Sequence, residues 1–294
     1  MTFREFWKPL TSVYPEQEAR WIGRFVFEVK YGLSQADLLM GRETDIDESE
    51  LRELQRRLLT GEPVQYILGE APFGNHQFSV SPAVLIPRPE TLWLCNAVSA
   101  EAQGRDVLDI GTGSGCIAIT IALATEENGM TSTIQEESAR NGREKPCSSV
   151  VRITAWDIST EALAVAHANA ERLKAKVTFE QQDALCPPDD IGRWDIIVSN
   201  PPYICEQEKA AMERNVLDFE PHLALFVPDD DPLLFYRAIG KYAVKTLRPD
   251  GRLYLEINPL YANAICDMLM EQGFAKTHPY QDDNQKDRYI VAWK

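Results

Sequence analysis

The chain has 294 residues, 44% of them hydrophobic and 26% charged, the composition of a globular protein long enough for two cores. Its formal net charge is -15, and so acidic a chain is poorly suited to tracking a phosphate backbone, which needs clustered Lys and Arg. The six cysteines are scattered without a C-x-x-C pair and the four histidines form no H-E-x-x-H cluster, so no metal site or disulfide framework is expected, and reduced thiols point to a cytoplasmic protein.

At the start of the chain, Met1 to Leu10 carries charges at Arg4, Glu5 and Lys8 and has no apolar signal core. Trp21, Ile22, Phe25, Val26 and Val29 then recur at helix spacing after Pro15, which fits a first turn. Ser34 with Asp37 has the form of a capping box, and Leu51, Leu54 and Leu58 make a second stripe behind Asp47 as N-cap. These stripes predict a small helical domain over 1–70. Phe73 to Val84 is broken at Pro72, Gly74 and Pro82 and predicts a hairpin, so that 71–89 forms a hairpin and a linker stiffened by Pro87 and Pro89. From Asp106 onward the pattern alternates. Strands are expected near 106–110, 151–157, 176–182, 194–199, 251–257, 274–279 and 287–293, and helices near 90–102, 114–124, 159–174, 231–247 and 259–272. Such alternation predicts an α/β domain over 90–294, with a parallel sheet covered on both faces. The last two strands leave no room for a helix between them and should pair antiparallel. Val107–Thr125 is the longest apolar stretch, but Asp109 and the glycines within it favour strand, loop and buried helix over a membrane span. Glu126 to Ser149 is rich in Ser, Thr, Asn, Gly and Glu with no apolar period, and predicts a solvated, mobile insertion in 126–149.

The strand Val107-Leu108-Asp109-Ile110 runs directly into Gly111-Thr112-Gly113-Ser114-Gly115. Glycines permit a tight strand-to-helix turn and let a ligand approach the backbone. The G-x-G-x-G spacing is one residue shorter than the dinucleotide fingerprint. Asp109 stands two positions ahead of the first glycine, where a carboxylate disfavours pyrophosphate and suits an ammonium group. Asp157 ends the next strand and is placed to accept hydrogen bonds from ribose hydroxyls; Asp183 ends the third and is placed near a purine. Singly, each Asp also reads as a helix cap or turn residue. Together with the loop they describe a ligand with an amine, a ribose and a purine but no phosphate, which fits S-adenosyl-L-methionine.

Asn200-Pro201-Pro202-Tyr203 closes the apolar run Ile196-Ile197-Val198, which reads as a buried parallel strand. A planar NH2 group is a double donor and needs two acceptors. Asn200 offers its side-chain oxygen and Pro201 its backbone carbonyl, while proline contributes no competing N–H. Tyr203 can lie against the π face of the target. The four residues therefore suit alkylation of a planar nitrogen, with Asn200, Pro201, Pro202 and Tyr203 as catalytic candidates; a Pro-rich turn after a strand is the plainer alternative.

Asp109 to Gly115, Asp157 and Asn200 to Tyr203 resemble the class I S-adenosylmethionine-dependent methyltransferases that alkylate planar nitrogens. Gly61-Glu62-Pro63, Tyr66 to Gly69, Leu85-Ile86-Pro87-Arg88-Pro89-Glu90-Thr91, Glu220-Pro221 and Asp287-Arg288 narrow the resemblance to the HemK/PrmC family of peptide chain release factor glutamine N5-methyltransferases. The resemblance implies a seven-stranded sheet with an antiparallel last strand and a small N-terminal helical domain that helps dock the substrate. It implies class 1 release factors as protein partners, with the glutamine of their Gly-Gly-Gln motif as methyl acceptor. Cofactor contacts would fall on Asp109, Gly111, Thr112, Gly113, Ser114, Gly115, Asp157, Asp183 and Asn200, and substrate contacts on Arg88, Glu90, Thr91, Asn200, Pro201, Pro202 and Tyr203. Departures from the family pattern are Ala184, where relatives often carry Trp, Leu92 in place of an acid, and Asn258 in place of Gly. An adenine-N6 or guanine-N2 methyltransferase acting on a flipped base would use the same four residues, but the charge of -15 opposes a nucleic-acid substrate. The four residues would also serve a methyltransferase whose acceptor is a ribosomal-protein glutamine, and the glycine loop alone would serve a cofactor-binding module without turnover.

Overall fold

In a computed structural model, residues 1–42, 47–136 and 150–294 are described, the side chains of 127–136 excepted. Five helices come first: α1 (Phe3–Trp7), α2 (Glu16–Tyr31), α3 (Gln35–Leu39), α4 (Glu48–Leu58) and α5 (Val64–Leu68). Their starts follow from local chemistry. Thr2 with Glu5 and Ser34 with Asp37 form capping boxes, and Asp47 accepts the N–H groups of Ser49 and Glu50, satisfying donors that a first turn leaves unpaired. Ile22, Phe25 and Val26 of α2 and Leu51, Leu54 and Leu58 of α4 pack with Phe6, Leu10 and Phe27 into one apolar cluster.

A hairpin follows, β1 (Glu70–Phe73) and β2 (His76–Ser79). It begins three residues earlier and ends five earlier than the sequence pattern indicates, because the chain reverses at Gly74-Asn75, where Gly74 takes a positive φ. Tyr66, Ala71, Val80, Val84 and Ile86 form a small cluster that also receives Ala162 from a later helix. The Tyr66 hydroxyl donates to the Val84 carbonyl at 2.6 Å, so this cluster joins the helical part to the sheet.

The remaining elements are α6 (Thr91–Ser99), β3 (Asp106–Ile110), α7 (Cys116–Glu136), β4 (Arg152–Asp157), α8 (Thr160–Leu173), β5 (Val177–Gln181), β6 (Trp194–Ser199), β7 (Ile204–Cys205), α9 (Arg214–Phe219), β8 (Phe226–Val227), α10 (Leu234–Thr246), β9 (Leu247–Glu256), α11 (Ala262–Glu271), β10 (Lys276–Gln281) and β11 (Asp287–Trp293). Seven strands form one sheet in the order β10-β11-β9-β6-β3-β4-β5. The pairs β9–β6, β6–β3, β3–β4 and β4–β5 are parallel, and β11 runs antiparallel to both β9 and β10. Pairing of the last two strands is thus as the sequence indicates; the insertion of β11 between β9 and β10 is not something their spacing could reveal. Alternate residues of each strand face opposite layers. Val107, Ile153, Ile196 and Val198 pack with α6 and α7, while Leu108, Trp156, Ile197, Leu253 and Leu255 pack with α10 and α11. Both faces are covered at the centre of the sheet, which is why β3 and β6 read as apolar runs.

Helix α7 continues to Glu136, past the expected end at 124, so regular structure replaces the first part of the expected irregular insertion; 137–149 lie outside the described residues. No helix is long and apolar enough to cross a membrane among the described residues.

Candidate active site

Strand order reverses at β3, whose neighbours β4 and β6 carry the chain away in opposite directions, and a crevice therefore opens beyond the carboxyl ends of these strands. A cavity of about 420 Å³ occupies it, within the range of nucleotide and drug-sized sites. Ile110 to Ser114, Asp157, Asp183 and Asn200 to Pro202 line it, together with Arg88 and Thr91. Residues from four separate strand ends and from the linker thus converge on one space.

The glycine loop is held from below. The Trp156 carbonyl accepts the N–H groups of Gly111 at 2.9 Å and Thr112 at 2.8 Å, and Gly113 N–H donates to Asp157 Oδ2 at 2.9 Å. A Cβ at Gly113 would meet no protein atom within 4 Å; the space it would enter belongs to the loop's open side. Gly115 differs. A Cβ there would lie 2.8 Å from Ile119 Cδ1 and 3.2 Å from Ala166 Cβ, so Gly115 serves the close approach of α7 and α8 and does not line the cavity. Asn169 of α8, fully buried, supports the loop from behind: its Nδ2 donates to the Ser79 and Ser114 carbonyls, both at 2.9 Å, and its Oδ1 accepts Ser79 N–H at 2.7 Å. One side chain thereby ties the β1–β2 hairpin to the glycine loop, a role no local pattern discloses.

Asp157 accepts one backbone N–H on each oxygen, from Gly113 and from Ser159 at 3.0 Å, and burial pushes its carboxyl up from the usual range. Each oxygen keeps a lone pair for a ligand hydroxyl. Asp183 caps its own turn through Leu185 N–H at 2.8 Å and lines the cavity beside Ala184 and Leu185. Asp109 does not line it. The side chain is wholly buried beneath the loop, with Oδ2 accepting the Thr112 hydroxyl at 2.7 Å and Oδ1 unpartnered, and burial raises its pKa to about 7. Direct contact with an ammonium group, expected for Asp109, is therefore not what the geometry presents. Among the described residues lining the cavity, Arg88 is the cation, against Asp157, Glu161 and Asp183. Arg88 is itself engaged by the buried Glu220 carboxylate at 2.5 Å, which also accepts Ile86 N–H at 3.2 Å. Such a lining suits a ribonucleoside with a cationic tail and disfavours a phosphate.

A second cavity of about 340 Å³ abuts the first. It is lined by Tyr203, Ile204, Met212, Glu213 and Val216, and shares Leu85, Arg88, Asn200, Pro201 and Ala224 with its neighbour. Asn200 and Pro201 therefore stand at the junction, with Pro202 on one side and Tyr203 on the other. Ser199 anchors the turn by donating to the Ile110 carbonyl at 2.7 Å. Asn200 Nδ2 donates to Thr91 Oγ1 at 3.4 Å, and neither Asn200 Oδ1 nor the Pro201 carbonyl takes a hydrogen bond from another described residue. Two oxygens that take no hydrogen bond from another described residue thus belong to residues lining both cavities. Glu90 lies apart: it lines neither cavity and faces Arg288 at 4.0 Å. Glu220 and Glu256, which sequence reasoning gave no part in the site, both support it from buried positions.

A family model described as Methyltransferase domain matches residues 101–257, and one described as PrmC N-terminal domain matches residues 10–69. The Release factor glutamine methyltransferase of Bacteroides thetaiotaomicron is 41% identical over 288 residues, covering 96% of this chain and 95% of its own. That of Flavobacterium psychrophilum is 36% identical over 295 residues, with 97% and 95% covered. Among solved structures, the hMettl16 catalytic domain in complex with MAT2A 3'UTR hairpin 6 matches with a TM-score of 0.51 at 17% identity, over 74% of each chain; at that identity the likeness concerns the fold alone.

Proposed function

The chain belongs to the release factor glutamine methyltransferase family, and on that premise we propose that its two abutting cavities hold S-adenosylmethionine and the glutamine side chain of a class 1 release factor. The enzyme methylates a release factor glutamine; the acceptor atom is the side-chain N5 of the Gly-Gly-Gln motif. The observation that carries this assignment is the pair of unoccupied acceptors, Asn200 Oδ1 and the Pro201 carbonyl, at the junction of the cavities.

S-adenosylmethionine supplies an activated methyl group on a sulfonium. Gly111 to Ser114 and Asp157 hold it, with Asp183, Ala184 and Leu185 around the base. A carboxamide nitrogen is a poor nucleophile because its lone pair is delocalised into the carbonyl, as in a peptide bond. Asn200 and Pro201 would accept its two N–H groups, fix its orientation and favour the positive charge that develops as the C–N bond forms and the methyl–sulfur bond breaks; the neutral thioether S-adenosylhomocysteine would leave, and one N–H proton would be lost to solvent after transfer. Orientation of this kind is worth on the order of 7–11 kcal/mol in well-aligned systems. Tyr203 covers the amide plane from the second cavity. The helical residues 1–70, joined to the catalytic residues 90–294 through 71–89, form the platform for the rest of the substrate. Release factors work at the ribosome, so the enzyme acts in the cytoplasm.

Labelled cofactor and a release factor, wild type or with its loop glutamine changed to alanine, test this directly. Label should appear on the wild-type factor only. Equal label on the alanine variant, or label on DNA or RNA instead, contradicts the assignment.

A further inference from the structure

Glu256 ends β9 and is buried, and the β6–β9 register, in which Ser199 pairs with Leu255, sets it beside Asn200. Thr91, the first residue of α6 and also buried, lies between them: its hydroxyl donates to Glu256 Oε2 at 2.7 Å and receives Asn200 Nδ2 at 3.4 Å. Resting on the assignment of Asn200 above, we propose that Thr91 and Glu256 are positioning residues that decide which end of the Asn200 amide meets the acceptor. A threonine hydroxyl has one proton. With Glu256 ionised, and so only an acceptor, that proton goes to Glu256, and the Thr91 oxygen can then only accept from Asn200. The amide is obliged to present nitrogen to Thr91 and oxygen to the junction of the cavities. If Glu256 carries a proton it can donate to Thr91, whose own proton is then available to Asn200 Oδ1, and the amide turns over. The acceptor would then meet an NH2 group where it needs an oxygen.

The groups facing Glu256 are Glu90 and Cys95 with α6, Cys116 at the head of α7, Tyr203 after β6, Tyr236 of α10 and Arg288 of β11. Arg288 is the cation among them, and Asp282 engages it at 2.7 Å. Burial therefore dominates and raises Glu256 to about 7, with the Thr91 hydrogen bond, the Arg288 charge and a Tyr203 hydrogen bond acting against the rise.

Thr91→Val keeps the side-chain shape and removes the hydroxyl; Thr91→Ser restores it. The expected result is a fall in kcat of about 100-fold for the valine variant, with cofactor Kd by calorimetry and KM for the release factor within about threefold of wild type, and recovery of kcat by serine. Wild-type kcat should decline as pH falls through about 7, and the Glu256→Gln variant should lack that limb. The Asn200 side-chain NH2 signal, followed by NMR after 15N-asparagine labelling and assigned with Asn200→Ala, should titrate in the wild type and stay fixed in Glu256→Gln. Wild-type kcat in Thr91→Val, equal loss in valine and serine variants, or an NH2 signal that ignores pH would each overturn the proposal. A titrating signal in an enzyme that labels no release factor would leave the relay standing and sink the functional assignment instead.

Discussion

Under the proposed assignment Asn200 orients the target and Asp157 holds the cofactor, so their removal should separate orientation from affinity. In Asn200→Ala one of the two acceptors for the target amide is lost, and kcat should drop by about 100-fold or more, while calorimetric cofactor affinity stays close to wild type. Parallel losses in both quantities would contradict an orienting role. Asp157→Ala removes hydrogen bonds from a carboxylate, each worth roughly 1.5–3 kcal/mol, so cofactor Kd should rise by at least about tenfold; unchanged affinity would remove Asp157 from the cofactor site. The position of both residues at the crevice was legible in the sequence, because each stands at the end of a strand whose carboxyl end points there. Glu220 and Glu256 were not. Glu220 meets Arg88 across 132 residues and Glu256 meets Thr91 across 165, and a buried carboxylate partnered at that separation carries no local signature. Asp109 misled for a related reason: its place before the glycines suggested a ligand contact, but strand alternation turns it inward beneath the loop.

The glycine loop shows how one element combines two different constraints. At Gly113 the φ of 56° and the open space around an added methyl leave backbone conformation and ligand approach as the only demands. Gly113→Ala should cost about 1–2 kcal/mol through the left-handed backbone and weaken cofactor binding further by filling its side of the cavity. At Gly115 the added methyl meets Ile119 and Ala166, and overpacking of this sort adds about 1–3 kcal/mol to the same backbone cost. Denaturant unfolding with and without cofactor distinguishes them: Gly115→Ala should lower the apo midpoint more, and Gly113→Ala should lose more of the ligand-induced shift. The reverse order would contradict the division. From sequence the G-x-G-x-G spacing identified the loop without sorting its glycines, since the distinction depends on how closely α8 packs. Strands β3 and β6 were legible as two-sided apolar runs, and β4 and β5 from their place in the strand-helix alternation. The hairpin was displaced because Gly74, and not Pro82, makes its turn, and α7 overran its expected end because a polar composition does not by itself stop a helix.

At the scale of the whole molecule, two buried carboxyls on the sheet strands contribute to the pH dependence of stability with the sign opposite to that of Asp106, whose carboxyl the Arg152 hydrogen bond holds below its ordinary range. Asp109 and Glu256 both titrate near 7 in the folded state, raised by burial, whereas in the unfolded chain they ionise near their ordinary values of about 4. Over that interval the folded state binds more protons, so these two groups make stability fall as pH rises from about 4.5 to about 7, with the full loss present above it. The Asp109→Asn, Glu256→Gln double variant should therefore show a flatter stability profile between about pH 5 and 8 by denaturant titration; a profile as steep as wild type would show that the two carboxyls are ionised at low pH in the fold. The architecture explains why such groups are tolerated: they underlie the two halves of one crevice, Asp109 beneath the glycine loop and Glu256 behind Asn200, where a reacting pair must be gripped from opposite sides. A structure of the enzyme with S-adenosylhomocysteine and a Gly-Gly-Gln peptide tests that grip most directly. The glutamine nitrogen should lie within about 3.2 Å of both Asn200 Oδ1 and the Pro201 carbonyl, facing the sulfur of the cofactor product; a nitrogen bound elsewhere, with those two oxygens turned to solvent, would contradict the account.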